Sequence, residues 1–219
     1  MKTRNKNIII IGSNSKFTKS FLNIKDVDKK YSKFFLISHR KYNGKISNFN
    51  IIQNVNPLHI IEIIENILNS TDNYEKFDVL VTNTPPKDAN YSSDSVFEWA
   101  LTSFKIMNFL SYSSKINSAI FLGSCLSFIP LFRNGMYKTI KKNEFVFYNE
   151  LGFDMSKNIS FCILPPLDPG TKGIGKLFSE PMSFWSKKIL EEFNSCNKLI
   201  LPTGILGLII KIIIFLKFI

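Results

Sequence analysis

Short, almost continuously apolar runs alternate with longer stretches of helical spacing along the whole of this 219-residue sequence. Residues 7–11 (NIIII), 34–38 (FFLIS), 50–55 (NIIQNV), 77–83 (FDVLVTN), 118–124 (SAIFLGS), 159–166 (ISFCILPP) and 198–202 (KLILP) read as seven strands. Between them, 16–23, 57–70, 94–112, 135–151 and 181–194 read as helices, the second opened by Pro57 at a favoured first-turn position. Strands that are apolar on both sides must be covered on both faces. Their alternation with helices therefore predicts an α/β chain, a doubly wound parallel sheet in a single domain. Such sheets take their ligands beyond the C-terminal ends of the strands.

Composition narrows the options. At 45 % hydrophobic residues the chain is too apolar for a disordered protein. Its length suits one domain and leaves no room for a second large one. The cysteines (Cys125, Cys162, Cys196) and the two histidines (His39, His59) share no metal-ligand spacing, so no metal site is expected. No disulfide framework is evident, and the N-terminal apolar run reads as a strand rather than a signal peptide. Both point to a cytoplasmic setting. The 28 Lys and Arg against 17 Asp and Glu give a net charge of +11. That charge is mostly scattered lysine with no arginine block, so nucleic acid is not the expected partner. An anionic ligand or a membrane surface remains open.

Two local patterns carry chemistry. Gly12-Ser13-Asn14-Ser15 follows the first strand and precedes a helix. A glycine there permits a tight turn, and the helix start beyond it can face a phosphate. Tyr137 and Lys141 stand four apart on a helix and share a face, where an ammonium would lower the phenol pKa toward a usable acid–base. Ser124 ends the fifth strand, 13 residues before Tyr137.

Ser124, Tyr137 and Lys141, downstream of the Gly12 turn, resemble the Ser-Tyr-Lys site of the short-chain dehydrogenases/reductases. Gly12-Ser13-Asn14-Ser15-Lys16-Phe17-Thr18 resembles that family's Gly-Ala-Thr-Ser-x-Ile-Ala turn position by position. The resemblance runs over nearly the whole chain. It implies a Rossmann-type fold of about seven strands at 1–203, and an enzyme that interconverts a carbonyl and an alcohol by hydride transfer. Ser124, Tyr137 and Lys141 would then be catalytic. Gly12, Ser13, Ser15, Phe17, His39, Arg40, Asn54, Asn83, Pro165 and Thr171, together with Tyr137 and Lys141, would hold the cofactor. His39 and Arg40 close the second strand with no acid, which favours NADP(H) over NAD(H). The sequence departs from the family pattern in four places. Lys16 and Thr18 replace two glycines, Asn54 replaces an aspartate, and Pro85 replaces a glycine. The family's catalytic asparagine would fall near Ala100, where Thr102 and Ser103 are the nearest hydroxyl-bearing residues.

Residues 204–219 (GILGLIIKIIIFLKFI) form a hydrophobic C-terminal segment. As a helix it would span about 22 Å, short of a hydrocarbon core of about 30 Å. It is expected to pack on the fold or a partner copy, or to lie peripherally on a membrane. Related reductases with such tails suggest a sugar or lipid-linked sugar substrate and a part in cell-surface glycan synthesis. A homo-oligomer is the resemblance's further implication. The alternative is a non-catalytic binding protein on the same fold, a membrane-associated partner of another enzyme.

Overall fold

The computed structural model describes residues 6–42, 49–72, 74–82, 93–129, 135–151, 158–169, 171, 173–195 and 198–218. Its main sheet has seven parallel strands in the order β3-β2-β1-β4-β5-β6-β9. These are β1 (Lys6–Ile11), β2 (Tyr31–Ile37), β3 (Phe49–Ile52), β4 (Phe77–Val81), β5 (Ile116–Ser124), β6 (Ile159–Leu164) and β9 (Leu199–Ile200). A separate two-stranded ribbon pairs β7 (Leu167–Asp168) with β8 (Glu180–Pro181). The helices are α1 (Lys16–Leu22), α2 (Lys25–Lys30), α3 (Ile60–Asn69), α4 (Ser93–Tyr112), α5 (Gly135–Glu150), α6 (Met182–Ser195) and α7 (Gly204–Phe218).

Alternate residues of each strand enter one of two cores, as the strand period of two requires. Ile9, Ile11, Val79, Val81, Ala119, Phe121, Phe161 and Ile163 face a layer built from α3, α4, α5 and α7. Ile8, Ile10, Leu80, Ile120, Leu122, Cys162 and Leu164 face a layer built from α1, α2 and α6, where Phe21, Trp185, Ile189 and Phe193 are fully buried. The isoleucine run of β1 is thus explained by burial on both faces. The predicted doubly wound sheet is the one found.

The chain reverses its strand order between β1 and β4. Their C-terminal ends therefore splay open into a crevice, the place where such sheets bind ligands. Gly123 sharpens that edge: a Cβ there would meet the Phe161 ring at 2.3 Å, so only glycine lets β5 pass to Ser124. The opposite edge holds a buried carboxylate, Asp78, which accepts hydrogen bonds from Tyr31 (2.9 Å) and Asn117 (2.7 Å). Burial raises its pKa, and the Asn117 hydrogen bond and Lys6 oppose that. These contacts satisfy a buried polar group within the fold.

Candidate active site

The turn after β1 is held open at one residue. Gly12 has φ +88°, and a Cβ there would meet Thr82 Oγ1 at 2.6 Å and its carbonyl oxygen at 2.9 Å. Ser15 caps α1, its Oγ accepting from Thr18 N at 2.9 Å. Thr18, where the family pattern has glycine, is fully buried. Its hydroxyl lies 3.2 Å from the Gly12 carbonyl, 2.8 Å from Ser15 Oγ and 3.1 Å from Thr82 Oγ1. A glycine lets helix and strand approach by having no side chain. Here the approach is kept by a threonine whose hydroxyl finds partners on both sides.

At the end of β2, Asn14 Nδ2 donates to Ser38 Oγ at 2.8 Å and to the Lys41 carbonyl at 3.0 Å. The Arg40 amide donates to the same Ser38 oxygen at 3.2 Å. These bonds tie the β2 loop to the Gly12 turn. His39 stands edge-on to Trp99, with ring centroids 5.4 Å apart. Burial, and secondly Arg40, lower its pKa, so it is a neutral donor or acceptor at physiological pH. The Arg40 side chain is exposed.

On the other side of the crevice, β5 and α5 bring Ser124, Tyr137 and Lys141 together. Ser124 Oγ accepts from Leu126 N at 3.3 Å and is hydrogen-bonded to Tyr137. Lys141 is buried, and its Nζ donates to the Leu122 carbonyl at 3.0 Å and to Glu144 Oε2 at 2.7 Å. The other oxygen of Glu144 accepts from Ser103 Oγ on α4 at 2.8 Å. A relay Ser103–Glu144–Lys141 therefore crosses from α4 to α5 beneath the tyrosine's helix turn. Its α4 member, Ser103, lies three residues beyond Ala100, near which the family pattern has its asparagine.

This arrangement corrects one expectation. Lys141 does lower the Tyr137 pKa, as does the Ser124 hydrogen bond. Burial is the larger effect, and Glu144 adds to it, so the phenol titrates above its ordinary value. Tyr137 is a protonated acid at neutral pH.

Gly12, Ser15, Phe17, His39, Arg40, Tyr137, Lys141 and Thr171 all line one cleft of about 480 Å³. Lys16 lines it too, and among the described residues none of its lining is acidic. The Thr171 hydroxyl donates to the Leu167 carbonyl at 2.8 Å. Ser13 is buried and its hydroxyl has no partner among the described residues. Pro165 is buried beside the cleft-lining Leu164, outside the lining itself. Asn54 is exposed at φ +59°, in a turn that does not line the cleft. Asn83 lies outside the described residues. Glu144 was missed from the sequence. Its only signal is the Lys141-x-x-Glu144 spacing, which ordinarily marks an exposed pair.

No protein-family model matches the chain, and no curated protein matches it in sequence. Solved structures do match its fold. A short chain dehydrogenase from Burkholderia cenocepacia, in complex with NADP, superposes with a TM-score of 0.65 at 9 % identity, covering 96 % of this chain and 93 % of that one. The enzyme WbmH from Bordetella bronchiseptica, in complex with NAD+, gives 0.66 at 8 %, over 92 % and 76 % of the two chains. Glucuronic acid dehydrogenase from Chromohalobacter salexigens gives 0.68 at 7 %, over 91 % and 77 %. The chain has the fold of the short-chain dehydrogenases/reductases.

Proposed function

We propose that this chain is an NADP(H)-dependent oxidoreductase that interconverts a carbonyl and an alcohol. One observation carries the reading: Tyr137, hydrogen-bonded to Ser124 just outside the lining, and Lys141 share a cleft with the Gly12 turn, Lys16 and Arg40. An acid–base centre thus stands in the same crevice as a lining of cations without carboxylates. That donor set fits an anionic dinucleotide, and the fold's solved neighbours in complex with NADP and NAD support the class.

In this reading Lys16 and the Gly12–Ser15 turn face the pyrophosphate. Arg40 and Ser38 would hold a 2′-phosphate, since among the described residues no acid lines the cleft to bond a free ribose hydroxyl. Lys141 and Tyr137 face the nicotinamide ribose, and Thr171 faces the carboxamide. The cofactor, when bound, supplies the hydride. Ser124 hydrogen-bonds the substrate oxygen and orients it, and Tyr137 donates its proton to that oxygen as charge develops. Carbonyl reduction uses the protonated Tyr137 and alcohol oxidation its phenolate, so oxidation strengthens as the pH rises. A hydroxylated substrate of the sugar class suits this reading. It is supported by the neighbour named as a glucuronic acid dehydrogenase.

The test is turnover. With a panel of sugar-derived carbonyls, NADPH consumption is expected, and Tyr137→Phe is expected to reduce kcat about 100- to 10,000-fold. Cofactor binding without turnover of any carbonyl, unchanged by Tyr137→Phe, would favour a non-catalytic binding protein instead.

A further inference from the structure

The last helix has two apolar faces, and the fold uses one. Leu206 and Ile210 of α7 are buried against the sheet, with Ile213 and Ile214 packed beside them. Gly207 allows that seating, since a Cβ there would meet the Pro202 carbonyl oxygen at 1.9 Å. The opposite stripe is Ile205, Leu208, Ile209, Ile212, Phe215 and Leu216, at helical spacing, each between 42 % and 75 % exposed. Six large apolar side chains on one stripe are more than scattered surface exposure.

We propose that this stripe docks on an anionic lipid surface. Three observations choose that occupant. The helix carries no acidic residue, exposed Lys211 lies at the stripe's margin, and the chain's net charge is +11. A lysine so placed rests its stem on the apolar face and its ammonium among headgroups. No helix among the described residues is long and apolar enough to cross a membrane.

The stripe is tied to the cleft. α7 starts at the same sheet edge, and Thr203 Oγ1 donates to Glu180 Oε1 at 3.0 Å. The other Glu180 oxygen accepts from Trp185 Nε1 of α6 at 2.9 Å. Met182, at the start of α6, lines the cleft. Just before Glu180, Leu177 and Phe178 are exposed on the same connection. If the oxidoreductase reading holds, the docked enzyme meets a substrate whose reacting carbonyl or alcohol is carried on a lipid anchor.

The full chain is to be sedimented with vesicles of phosphatidylcholine alone and of phosphatidylcholine with phosphatidylglycerol. Retention on the anionic vesicles is expected to exceed that on the neutral ones at least about tenfold, and to fall with salt. The double variant Leu208→Glu/Ile212→Glu, folded by circular dichroism, is expected to lose retention, and Lys211→Glu to weaken it. No retention at low salt, or retention unchanged in the double variant, would overturn the proposal. So would a dimer by light scattering that the double variant converts to monomer. Vesicle binding by a chain that binds no dinucleotide would leave this proposal standing and remove the oxidoreductase reading.

Discussion

Burial holds the Tyr137 phenol protonated, and two neighbours of opposite charge pull on it. Lys141 favours the phenolate, whereas Glu144 partly cancels that pull while fixing the lysine in place. Removing the carboxylate by Glu144→Gln leaves the Lys141 charge unopposed, so the Tyr137 pKa is expected to fall. Alcohol oxidation needs the phenolate and rises with pH up to that pKa, so its rising limb should move to lower pH. Carbonyl reduction needs the phenol, and its falling limb should move the same way. A pH profile of kcat/KM in both directions checks this. A uniform loss of activity with unmoved limbs would make Glu144 merely structural. Tyr137, Ser124 and Lys141 were legible in the sequence because their spacing coincides with a strand end and a helix start. Glu144 was not, because Lys-x-x-Glu looks the same on a buried as on an exposed helix face. Its burial is decided by α4, through Ser103.

At the level of elements, the turn between β1 and α1 is constrained twice over. Gly12 combines a positive φ with a Thr82 hydroxyl 2.6 Å from where a Cβ would stand. Gly12→Ala is expected to cost about 2–4 kcal/mol, through backbone strain and this contact together. Thermal denaturation should show a melting temperature several degrees lower, and a variant melting with the parent would contradict the geometry. The central strands were legible because burial on both faces writes them as apolar runs. The edges were less so. β3 and β9 are shorter than the runs 50–55 and 198–202, since an edge strand has one neighbour to pair with. Helix α2 (KDVDKK) gives no periodic signal, because only Val27 of it is buried. The two-residue strands β7 and β8 depend on each other, 12 residues apart, and leave no local pattern.

For the whole molecule, topology follows from alternation: parallel strands joined by helices cross over with one hand, and the strand order reverses once. That reversal sets the Gly12 turn, the cationic β2 loop and the Tyr137–Lys141 pair around one crevice, although Gly12 and Tyr137 are 125 residues apart in sequence. The proposal that this crevice holds a dinucleotide with a 2′-phosphate belongs to this scale. It is tested most directly by titrating the folded chain with NADPH and with NADH, following nicotinamide fluorescence. The expected result is micromolar NADPH binding with NADH at least about tenfold weaker, narrowed to parity by Arg40→Ala. Binding of neither dinucleotide by a folded sample would contradict the claim.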